Sequence, residues 1–114
     1  MANTKPIPRE RWTEYFDAFS KKFLRDETPE AATVRLLSDA LGDQDAVRDK
    51  QVIGITYDHK DNLLDVALEG IDHVVYHPRE IRVAEEPNGF IREIDLVRDD
   101  GEREVVRLQT SRRR

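Results

Sequence analysis

At 114 residues, with charged and hydrophobic residues each at 38%, the chain has the length of one domain and buries about two thirds of its unfolded surface. That balance leaves most elements one wet face, which argues against a doubly covered parallel sheet. The absence of cysteine excludes disulfides, thiolate zinc sites and cysteine nucleophiles, and a net charge of −5 opposes general phosphate-backbone binding.

The amino terminus is kept extended by Pro6 and Pro8 and holds no apolar run of signal-peptide character. No later stretch approaches membrane-spanning length. A cytoplasmic protein that meets neither membrane nor nucleic acid is expected. Pro8 suits the first turn of a helix over 8–25, because the amide it lacks would be unpaired there anyway. Trp12, Tyr15, Phe16, Phe19 and Phe23 form one helical stripe, opposite Glu10, Arg11, Glu14, Asp17, Lys21 and Lys22. The acids come early and the lysines late, as the helix dipole prefers. Such a stripe is expected to cap the open face of a sheet.

Pro29, within Asp26 to Glu30, ends the helix. Ala32, Val34 and Leu36 then alternate with Thr33, Arg35 and Leu37, the period of a first strand. Ser38 to Lys50 fits a loop, a short helix or a ragged strand, and periodicity does not choose among them. Val52 to Tyr57 and the alternating Leu64, Val66 and Leu68 read as a hairpin about the polar elbow Asp58-His59-Lys60-Asp61-Asn62. Gly70 breaks the second strand. His73 to His77 is again strand-like, and Pro78 should bend it or place it at an edge. Ile81 and Val83 resume the alternation before the turn Glu85 to Gly89.

The last hairpin, Phe90 to Gln109, turns at Asp99-Asp100-Gly101. A three-residue loop with Gly101 left-handed sets Arg98 against Glu102, Glu93 against Arg107 and Ile94 against Val106. A two-residue loop would instead oppose like charges. Residues 110–114 form a basic tail. The expected fold is a single α+β domain: an N-terminal amphipathic helix, then a bent antiparallel sheet or small open barrel of about five to seven strands over 31–109.

The histidines are His59, His73 and His77. In a strand, four residues separate the last two by roughly 13 Å, too far to share one ion, so no metal or other cofactor is expected. His73, His77 and Arg79 are candidate surface residues. Asp58, His59, Asp61 and Asn62 form a candidate functional elbow, although Asp and Asn at a turn have a structural use of their own. Ser20, Ser38 and Ser111 lie in no glycine elbow, and the glycines are isolated, so no catalytic residue is assigned.

Ile7-Pro8-Arg9, Trp12, Gly54-Ile55-Thr56-Tyr57-Asp58, Ala67-Leu68-Glu69-Gly70, Asp72-His73, His77-Pro78-Arg79-Glu80-Ile81 and Asp100-Gly101 together resemble a family of small bacterial proteins defined as a domain of unknown function. That resemblance covers nearly the whole chain and implies no activity or cofactor. A second resemblance is to Sm-like proteins, small bent barrels entered through an amino-terminal helix. Asp58 and Asn62 are spaced like the Asp and Asn of that family's first motif, and the resemblance implies that Asn62 meets a base in a ring pore. The Arg-Gly step of the second motif is missing, since Arg79 is followed by Glu80. The function expected is a non-catalytic interaction or structural module whose partner is another protein or a second copy. The alternatives are an Sm-like RNA binder and a small hydrolytic or metal-dependent enzyme.

Overall fold

The computed structural model describes residues 4–24, 30–38 and 42–110. Within them the strands are β1 (Lys5–Pro6), β2 (Glu30–Ser38), β3 (Gly42–Asp58), β4 (Leu63–Leu68), β5 (Ile71–Tyr76), β6 (Pro78–Glu85), β7 (Ile91–Arg98) and β8 (Arg103–Thr110), with the helix α1 (Trp12–Phe23). All pairings are antiparallel, in one sheet of order β1-β6-β7-β8-β2-β3-β4-β5. The architecture is α+β and mostly sheet. The expected basic tail lies largely outside the described residues, as does most of the turn at Asp26 to Glu30.

Eight strands exceed the five to seven expected. One addition is the short Lys5–Pro6, paired with Val83 and Arg82 on β6. The other difference is Ser38 to Lys50, most of which is the first half of the 17-residue β3. Its period was hidden because only Val47 is buried between Gly42 and Gln51. The pairing with β2 also slips around Val34, and Asp49 has a φ of 56°. A strand that is wet on both faces and out of phase with itself shows no alternation.

The sheet does not close, yet it curls. β5 is one edge, while β6 lies beside the opposite edge strand β1, and only His77 separates β5 from β6. His77 takes a φ of 54°. Its N–H donates to Asn62 O at 2.8 Å, and its C=O accepts from Asp99 N–H at 2.9 Å. The bend expected at Pro78 therefore falls one residue earlier and draws the two ends of the sheet together.

The helix packs on β3, and its apolar stripe covers the core from that side. Its entry is a 3-10 turn at Arg9–Arg11, closed by Arg11 N–H donating to Pro8 O at 2.9 Å, so the α-helix begins at Trp12 rather than at residue 8. Trp12, Phe16 and Phe19 are buried, with Tyr15 and Phe23 packed at the margin. They meet a core from nearly every strand that includes Val34, Ile55, Leu64, Val75, Ile81 and Ile94. The last hairpin has the expected register, Glu93 opposite Arg107 and Ile94 opposite Val106. Gly101 has a φ of 87°, which only glycine adopts without strain, and Arg98 N–H donates to Glu102 O at 2.9 Å.

Candidate functional site

Three separated segments meet at the corner where the elbow lies. Arg9 stands at their centre. Its Nη1 donates to Tyr57 Oη at 3.2 Å and to Asn62 Oδ1 at 3.5 Å, and its Nη2 donates to Pro78 O at 3.1 Å. The guanidinium lies 4.6 Å from the Trp12 ring centre, in cation–π contact. Trp12 in turn meets Tyr57 edge-on at 5.0 Å and donates its indole N–H to Ile7 O at 2.7 Å.

The elbow residues divide between structural tasks. Asp58 Oδ1 accepts from the N–H groups of Lys60 at 2.9 Å and Asp61 at 3.3 Å, an Asx turn. Asn62 holds a φ of 52°, and its Oδ1 accepts from Tyr57 Oη at 2.6 Å as well as from Arg9. The carbonyl side of Asn62 thus faces protein, not an open pore. His59 and Asp61 are exposed at the tip. His77 and Arg79 are exposed beside the corner, where His77 contributes through its backbone.

His73 is placed elsewhere and is partly buried, its side chain 17% exposed. It points to the inner side of the curled sheet, where its Nε2 lies 2.7 Å from Glu104 Oε1 on β8. Glu104 is 2% exposed and also accepts from Arg98 Nη1 at 2.8 Å. Burial pushes the Glu104 carboxyl up, but the hydrogen bonds from His73 and Arg98 outweigh it and the net pKa is lowered. Arg98 also pairs with Asp100 in the β7–β8 turn. The pair thus ties the edge strand β5 to β8 across the interior. Glu104 and Arg98 were missed in the sequence because nothing local distinguishes a buried glutamate from the exposed ones around it.

Arg35 and Arg107, on the β2–β8 outer face, are engaged too. A cavity of about 440 Å³ there is lined by Arg35, Leu37, Asp43, Val105 and Arg107. Arg35 donates to Asp45 at 3.1 Å, and Arg107 lies 3.4 Å from Glu93.

The free sheet edges differ from one another. Along residues 42–50 β3 has β2 on one side only, and that stretch carries Asp43, Asp45, Arg48, Asp49 and Lys50. Charges and irregular pairing of this kind protect an edge against stray strand pairing. β5 has β4 on one side only and carries a single carboxylate, Asp72. Ile71 and Tyr76 on β5 are 54% and 61% exposed, and Ile53, at the bulge between β3 and β4, is also exposed. On the outer face of β4, beside this edge, Asp65 Oδ1 is buried with no hydrogen-bond partner, and burial together with the nearby Asp72 carboxyl raises the Asp65 pKa.

Fold and corner define a small α+β domain, a curled eight-stranded sheet packed against one helix and pinned at an Arg9–Tyr57–Asn62 corner. The chain belongs to the family of unknown function DUF5335, whose model matches residues 3–114. An uncharacterized protein of Aquifex aeolicus (strain VF5) is 36% identical over 107 residues, covering 93% of this chain and 92% of that one. No solved structure matches the chain significantly. Among the described residues no helix is long and apolar enough to cross a membrane.

Proposed function

We propose that this chain is a cytoplasmic, non-catalytic interaction module that receives an extended partner strand along β5. The observation that carries this reading is the contrast between two of the longer free edges: β3 is guarded by charges, whereas β5 leaves Ile71 and Tyr76 bare. Strand addition draws affinity from backbone hydrogen bonds and specificity from alternate side chains, and β5 supplies both. The hydrogen bond from His73 to Glu104 supports the role, since it fixes the edge against β8 before any partner arrives. Lowering the ordering cost in this way favours binding.

The Arg9 corner serves the same end from a distance. It holds the turn that feeds β4 and, through Asn62 O, the amide of His77 at the end of β5. Affinity capture with the intact protein as bait tests the reading, compared with a Val74→Pro bait that lacks one edge donor. A binding protein held by the parent and lost with Val74→Pro is expected. Equal capture by both baits would place the interaction surface elsewhere.

A further inference from the structure

The β5 edge has a chemistry specific enough to name an occupant. Leu68 and Ile71 close a two-residue hairpin over Glu69 and Gly70, and the amide of His77 also bonds back to the β4 side. Backbone groups alternate sides along a strand, so Ile71, His73 and Val75 face β4 and Asp72, Val74 and Tyr76 face the free edge. The side chains of these same three residues share the outer face with their β4 partners Ala67, Asp65 and Leu63. Both hydrogen-bonding groups and side chains are thus offered on one regular pattern, with no proline and no bulge to spoil it.

We propose that a second copy of this chain occupies the edge, its β5 antiparallel to the first about a two-fold axis at Val74. This inference rests on the reading of β5 as the docking element. A two-fold axis perpendicular to the sheet pairs residues of equal parity, so Val74 faces Val74 of the partner copy and Asp72 faces Tyr76. The edge-facing groups of Asp72, Val74 and Tyr76 then make about six backbone hydrogen bonds. The apolar residue sits on the axis, and like charges do not meet.

The side-chain chemistry favours this occupant over an arbitrary strand. Asp65 Oδ1 is buried and lacks a donor, and the neighbouring Asp72 carboxyl adds negative charge to the same place. In the symmetric register each copy sets a Tyr76 hydroxyl, a donor on a ring now 61% exposed, beside the Asp72 of the other. Each copy therefore brings a donor to the exposed carboxylate on its partner's edge strand. Two strands of six residues bury less than the roughly 1,000 Å² of a permanent interface, so the association is a reversible one.

Sedimentation equilibrium on the full chain, from about 1 μM to about 1 mM, reads the monomer–dimer equilibrium directly. The expected result is a concentration-dependent dimer. Val74→Pro, which removes a donor that β4 does not use, should weaken it at least about tenfold, and Tyr76→Phe by about three- to tenfold. Circular dichroism checks that each variant is folded; if Val74→Pro is not, Tyr76→Ala replaces it with the same expected loss. A monomer at every concentration, or a dimer unchanged by these substitutions, overturns the proposal. A monomeric chain that still captures a protein in a Val74-dependent manner would remove the second copy and leave the docking edge standing.

Discussion

Ser20 acts as the strand partner of Ile55. Its Oγ accepts from Ile55 N–H at 3.0 Å and donates to Ile55 O at 2.9 Å, so one helical side chain satisfies both backbone groups that β2 no longer reaches past the Val52/Gly54 bulge. The relationship explains how an unclosed sheet stays dry on the side where the helix lies. An unpaired buried donor and acceptor would each cost about 1 to 3 kcal/mol.

Ser20→Ala should therefore destabilise the fold by roughly 2 to 3 kcal/mol, more than an ordinary serine on a helix surface. Urea denaturation checks this. The helix would keep its own hydrogen bonds, so the loss should come without loss of helical signal in the native baseline.

The backbone at the elbow separates two contributions. Asn62→Ala loses both the acceptor for Tyr57 and a residue type that tolerates a φ of 52°, and should cost about 1 to 3 kcal/mol. Asn62→Gly restores the backbone freedom and should recover part of that loss. If the two variants are equally destabilised, the hydrogen bond carries the whole effect.

Much of the sheet was legible because its inner faces alternate. Leu64, Val66 and Leu68 are buried at every second position, and the Asp99 to Gly101 turn is set by charge pairing that the sequence displays. What stayed hidden was non-local. Gly42 to Lys50 has no continuous dry face to mark it, and Ser20 reads as one more polar residue of a helix until Ile55 is placed beside it. The corner was half visible: Ile7-Pro8-Arg9, Trp12, Tyr57 and Pro78 were grouped as motifs, but only the curl of the sheet brings Arg9 to Asn62. The inward contact of His73 is hidden for the same reason, because Glu104 lies 31 residues away.

Two carboxylates should give opposite pH dependences. Asp95, with a buried and unpartnered Oδ1, has its pKa raised from the ordinary 3.8 to about 6 by burial first and by Glu93 second. A raised carboxyl pKa means that the folded state binds the extra proton, so this residue's contribution falls as pH rises from about 4 to about 6. Asp95→Asn should raise stability at pH 7 by on the order of 1 kcal/mol and flatten that slope. Thermal melts across the window check it.

Glu104 works the other way. Its lowered pKa means stability present above the ordinary glutamate range and lost as pH falls through it. Glu104→Gln should cost roughly 2 to 3 kcal/mol at pH 7, since it strips the anion from His73 and Arg98, and should shrink the acid-side loss. An unchanged acid limb in the variant would assign that loss to other carboxylates.

Amide hydrogen exchange resolved to single residues tests the central claim most directly, with the intact protein compared at about 1 μM and about 500 μM. At low concentration Asp72, Val74 and Tyr76 should exchange fast while Ile71, His73 and Val75, bonded to β4, stay protected. At high concentration the first three should slow as the second copy pairs. Protection of all six in dilute solution, or fast exchange at Asp72, Val74 and Tyr76 under both conditions, would contradict the account of β5 as an open edge that a second copy fills.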